Sequence, residues 1–66
     1  MFLTIIKDRD GRDTAINLSL VRTVVRKGRT VTFMFDGQNA GCATIEQKTE
    51  EEAESLFQHA IKLTLS

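Results

Sequence analysis

Along most of this chain apolar and polar residues alternate over short stretches, and only near the C-terminus does the spacing become helical. Residues 2–7, FLTIIK, are rich in β-branched and aromatic side chains and predict a first strand. The Asp10-Gly11 pair beyond it predicts a two-residue type I′ turn, in which both central residues need positive φ. That turn places Arg9 opposite Arg12, Ile5 opposite Ile16 and Leu3 opposite Leu18, with a second strand over 13–18. Leu3, Ile5, Ile16 and Leu18 then share one face, and Phe2, Ile6 and Ala15 take the other. The first strand is apolar on both sides.

A second hairpin is predicted over 21–26 and 30–35. Val21, Val25, Val31, Phe33 and Phe35 all have odd numbers, and side chains alternate between the faces of a strand. A loop with an odd number of residues brings them to one face. Arg26-Lys27-Gly28 supplies it, with Gly28 in the left-handed position of a G1 bulge. Val24 and Met34 then point outward beside Arg22, Thr30 and Thr32. A fifth strand over 39–46 has a parity conflict: Ala40 and Cys42 demand one register, Ala43 and Ile45 the other.

The helix over 50–63 has the clearest signature. Thr49 followed by Glu52 reads as a capping box, and Glu50, Glu51 and Glu52 suit the positive end of the helix dipole. Ala53, Leu56, Phe57, Ala60 and Ile61 repeat at the spacing of one buried stripe. The expectation is a single α+β domain over 1–66. It has an antiparallel sheet of four to five short strands in a meander of hairpins, and one C-terminal helix packed on one face.

Composition sharpens this picture in three ways. A 66-residue chain buries only about 60% of its unfolded surface, so small folds lean on disulfides, metals or partners. Cys42 is the only cysteine and His59 the only histidine, which excludes an internal disulfide and leaves too few ligands for zinc. A partner chain remains. No apolar run approaches the ~18 residues of a membrane span, and the N-terminus lacks a basic leader, so a cytoplasmic protein without membrane contact is expected.

Charge is unevenly divided. Through Phe35 there are seven basic residues against three acidic ones; from Asp36 onward there are two against six. The basic excess centres on VRTVVRKGRT, residues 21–30, where Arg22, Arg26, Lys27 and Arg29 suggest contacts to nucleic-acid phosphates. Sheets also place such charges on their edges to prevent aggregation, and Phe33 and Phe35 point away from that surface, so no base-stacking platform accompanies it.

Other candidate chemistry is sparse. DRDGRDT offers Asp8 and Asp10 before a glycine but no third acid in register, and Ser19, not Glu, where a calcium loop opening at Asp8 would close. Arg9 and Arg12 would also repel the ion. A hydrogen-bonded turn is expected there. His59 falls on the helix flank, Cys42 reads as a small apolar filler, and Ser19, Ser55 and Ser66 lack the surroundings of a nucleophile. No enzyme, cofactor or metal is expected.

In element order, five short strands and then one helix, the chain resembles the carbon storage regulator family, whose members are small RNA-binding dimers. It is similar in outline to small flagellar regulators of the FlbD type. The resemblance is one of order and spacing, and it carries no motif residues. The functional expectation is a small adaptor or regulatory protein acting as a homodimer through an outer sheet face, with Phe2, Ile6, Val24 and Met34 as the apolar patch. The alternative is an RNA or single-stranded DNA binder using Arg22, Arg26, Lys27 and Arg29.

Overall fold

The computed structural model describes residues 3–37 and 41–65, with the side chains of the final helix described to Leu63. Two antiparallel sheets and one helix make an α+β fold. β1 (Leu3–Lys7) and β2 (Asp13–Asn17) form one hairpin. A 3-10 turn (Leu18–Leu20) then leads into β3 (Val21–Lys27), β4 (Thr30–Phe35) and β5 (Cys42–Glu46), a three-stranded sheet with β4 in the centre. The helix α1 (Glu50–Leu65) lies mainly against β3, and also touches β4 and the 3-10 turn.

The five strands therefore divide two and three, where a single meander was expected. The break falls at Asn17, whose side-chain oxygen accepts hydrogen bonds from the Ser19 N–H at 3.1 Å and the Ser19 hydroxyl at 2.6 Å. This local cap turns Leu18 out of the strand and into the core, where it is 4% exposed.

Both hairpin loops differ in length from their expected forms, in opposite directions. In the first, the Asp8 N–H donates to the Arg12 carbonyl at 2.9 Å, and the Gly11 N–H donates to the Asp8 carbonyl at 3.0 Å. That closes a three-residue loop, Arg9-Asp10-Gly11, with Gly11 at φ 83°, as a type I turn with a G1 bulge requires. The Asp8 carboxylate selects it by accepting the N–H groups of Asp10 and Arg12, both at 2.9 Å. The ladder is shifted by one residue: Ile5 faces Ala15 and Ile6 faces Thr14.

In the second hairpin Lys27 pairs with Thr30, leaving a two-residue Gly28-Arg29 loop. Gly28 has φ 59° and no non-glycine residue is at positive φ among the described residues, which fits a type II′ turn. Val24 now lies opposite Phe33 and Arg26 opposite Val31, so the even positions of β3 join the odd positions of β4. A register shift between Val21 and Thr23 makes Arg22 the extra residue and returns Val21 to the inner side, opposite Phe35. In β5 the conflict resolves in favour of Ala43 and Ile45, and Cys42 is exposed and not a core filler. Ala40 lies outside the described residues.

The core is Ile6 and Ile16 from the first hairpin, Leu18, Val31, Phe33 and Ile45 from the turn and second sheet, and Ala53 and Ala60 from the helix. Thr49 starts α1, its hydroxyl accepting the Glu52 N–H at 3.1 Å. The helix presents its stripe, but its two most buried positions are the alanines, which let the backbone approach the sheet closely. Leu56 packs partly buried at the core margin, and Phe57 is half-buried.

Phe33 is fully buried at the centre of β4. Phe33→Ala should cost about 3–5 kcal/mol through lost transfer energy and cavity formation. At the typical ~0.05–0.15 kcal/mol per residue, that is much of what a chain this short has. Phe57→Ala should cost clearly less. Urea denaturation of both variants checks the order, and a larger loss at Phe57 would contradict this placement of the helix.

Candidate interaction surfaces

The loop geometry decides which side of the first hairpin is wet. Its inner face carries Thr4, Ile6, Thr14 and Ile16; its outer face carries Leu3, Ile5, Lys7, Asp13, Ala15 and Asn17. Leu3 is 59% and Ile5 70% exposed, and Ala15, directly opposite Ile5, is exposed as well. The side of β1 with more apolar residues thus faces outward. The other exposed large aliphatics, Leu20, Val25 and Leu63, are distributed over the 3-10 turn, the outer face of β3 and the helix end.

The four residues expected to form an outer patch do not share a face. Ile6 is 6% exposed and belongs to the core, and Val24 packs partly buried against it. Each is inverted by the one-residue difference in its hairpin loop. Met34 does lie on the outer face of β4, half-buried between Thr23 and Cys42. Phe2 lies outside the described residues.

The basic residues of 21–30 are also separated. Arg22 sits in the bulge at the far end of β3 from the loop. Arg26 turns toward the helix: its Nε is 2.7 Å from the Glu54 carboxylate, and its guanidinium donates to the Gly28 carbonyl at 3.0 Å. It is a structural tie between β3 and α1. Lys27 and Arg29 remain exposed at the loop.

What the linear sequence could not display is that this loop meets two others. The Gln47 N–H donates to the Arg29 carbonyl at 2.8 Å, and the Gln47 side chain donates to the Lys7 carbonyl at 3.2 Å. The Arg9 N–H donates to the Glu46 carbonyl at 2.8 Å, backed by an Arg9–Glu46 ion pair at 3.2 Å. Gln47 is the one buried polar residue among those described, and no buried side-chain nitrogen or oxygen among them lacks a hydrogen-bond partner. These bonds join the two sheets and gather Lys7, Arg9, Arg12, Lys27, Arg29 and Lys48 at one end. Asp8 and Glu46 offset Arg12 and Arg9 there.

The Asp8 carboxylate serves the turn and Arg12, as expected for a capped loop. Among the described residues no group of three or more His, Cys, Asp or Glu side chains could hold a metal ion. No described helix is long and apolar enough to cross a membrane. A shallow depression beside Arg26, lined by Glu50, Glu51, Glu54, Ser55 and Gln58, is open to solvent. Comparison with family models, curated proteins and solved structures finds no match to this chain.

The Arg26–Glu54 pair is partly solvated, with 30% and 44% of the two side chains exposed. Arg26→Ala should therefore lower stability by only about 0.2–1 kcal/mol, and Lys27→Ala by less than about 0.5 kcal/mol. A double-mutant cycle with Glu54→Ala, read by denaturant unfolding, checks the coupling. Additive losses would show that the pair contributes nothing.

Proposed function

We propose that this chain is a small, non-enzymatic, cytoplasmic binding protein of the adaptor or regulatory kind, that it acts as a homodimer, and that the first hairpin is its association element. The observation carrying this reading is the outer side of the first hairpin, where Leu3 and Ile5 are largely exposed on β1 and β2 beside them is a bulge-free edge strand open to a second copy. Fully burying a side chain of this size is worth about 1.5–3 kcal/mol, so two of them left in water mark the β1 surface as one that a bound protein partner covers, while the open β2 edge is the site for the second copy. Stability and assembly are then coupled by mass action.

A second reading has one observation in its favour. Lys7, Lys27, Arg29 and Lys48 are exposed at the joined end, and none of them is in an ion pair among the described residues. A nucleic acid held there would bind through its phosphates, with affinity falling steeply as salt rises. The acidic residues at the same end weaken that attraction, and Arg26, committed to Glu54, is withdrawn from it.

Light scattering over a wide concentration range separates the two. The expected result is a mass twice the 7.4 kDa of the chain, insensitive to salt, with a melting temperature that rises with concentration. A monomer at the highest concentration would overturn the homodimer. Salt-sensitive oligonucleotide binding, lost in Lys27→Glu with Arg29→Glu, would establish the second reading in its place.

A further inference from the structure

We infer that two copies of this chain join edge to edge at β2, in antiparallel register about a two-fold axis at Ala15. The result is a continuous four-stranded sheet, β1-β2-β2-β1. This inference rests on the homodimer reading and adds the surface and its register.

Each sheet has two outer strands, giving four edges. The β1 and β5 edges approach each other at the joined end, where the Arg9 N–H bonds to the Glu46 carbonyl. The β3 edge is defended against pairing. It carries a bulge at Arg22 and the charges of Arg22, Arg26 and Lys27, the usual devices that keep an edge strand from acquiring a partner. Two β3 strands paired antiparallel about Val24 would also set Arg22 opposite the second copy's Arg26, like charge against like. The β2 edge has none of these defences. Its five residues, DTAIN, run without a bulge and carry a single charge at Asp13.

The hydrogen-bonding parity of β2 is set by the loop. Asp8 and Arg12 are a hydrogen-bonded pair, and in an antiparallel ladder such pairs alternate with non-bonded ones. Ile6–Thr14 and Thr4–Ile16 are therefore bonded pairs within the hairpin. Asp13, Ala15 and Asn17 aim their backbone groups away from β1, toward the open edge. A two-fold at Ala15 is the register that uses this parity symmetrically. The two Ala15 residues exchange N–H and C=O, and each Asn17 N–H donates to the Asp13 carbonyl of the other copy. The Asn17 carbonyl opens the 3-10 turn within its own chain.

Side chains agree with this register. Asp13 of one copy lies opposite Asn17 of the other. The Asn17 oxygen is already occupied by Ser19, which leaves its amide NH₂ to donate. The Asp13 carboxylate, an acceptor, makes no ion pair or hydrogen bond among the described residues. Ala15 at the axis is the smallest side chain of the strand, so nothing bulky meets its own copy there. Pairing also places Leu3, Ile5 and Ala15 of both copies on the same outer face, merging two small apolar patches into one surface that a partner protein can cover.

The test is cross-linking. Two residues in a hydrogen-bonded antiparallel pair have Cα atoms about 5.5 Å apart with their side chains on one face, within reach of a short bis-thiol cross-linking reagent. In a Cys42→Ser background, Ala15→Cys should be joined into a covalent dimer by a short bismaleimide, whereas Val25→Cys should not. Leu3→Lys with Ile5→Lys, changes outside both the core and the paired edge, should keep the dimer mass. If the parent is a monomer, the homodimer itself is wrong. If the parent is a dimer but Ala15→Cys cross-links no better than Val25→Cys, the edge pairing fails while the homodimer stands. The same conclusion follows if the double lysine variant dissociates, since the copies would then meet through the outer face.

Discussion

A single carboxylate, that of Asp8, accepts two backbone N–H groups and holds the first loop at three residues. Side chains in a strand alternate with a period of two, so a loop one residue longer turns an entire strand over relative to its partner. Ile6 and Ile16 go into the core, and Leu3, Ile5 and Ala15 go to water. The same parity decides which backbone groups of β2 reach the open edge. The surface of this protein and its capacity to associate follow from that loop.

The second hairpin shows the constraint acting in the opposite direction. Its loop is one residue shorter than the pattern of odd-numbered valines and phenylalanines suggests, and β3 recovers only part of the lost alignment, through the bulge at Arg22. Val25 is left outside, 42% exposed, and Arg26 is carried to the helix side, where Glu54 receives it. A residue that reads as part of a basic recognition surface becomes a tie between layers. The joined end is the converse case: Gln47, inconspicuous in the linear sequence, bonds the second hairpin's loop through its backbone and the end of β1 through its side chain.

How much of this was legible in advance follows from range. The helix could be read because its determinants are local: Thr49 caps its start, and the buried stripe runs from Ala53 to Ala60. The existence of five strands could be read for the same reason. Their faces could not, because Asp10-Gly11 and Lys27-Gly28 are each compatible with two loop lengths. A β1 apolar on both sides offers no correction, and counting aliphatics favours the wrong face. The division into two sheets rests on the Asn17–Ser19 contact, a short-range feature that an apolar strand pattern running through Leu18 conceals.

The two hairpins thus differ in what they offer a partner: the second defends its outer edge with charge and a bulge, and the first leaves aliphatic side chains and an undefended edge exposed. The most direct test of the proposed association is amide hydrogen exchange at Ala15, followed by NMR as protein concentration is varied. The Ala15 N–H points away from β1, so a monomer gives it no partner in the ladder. Protection that rises with concentration, while Val31 and Phe33 in the central strand stay protected throughout, is the expected result. Exchange at the unprotected rate at every concentration would contradict it.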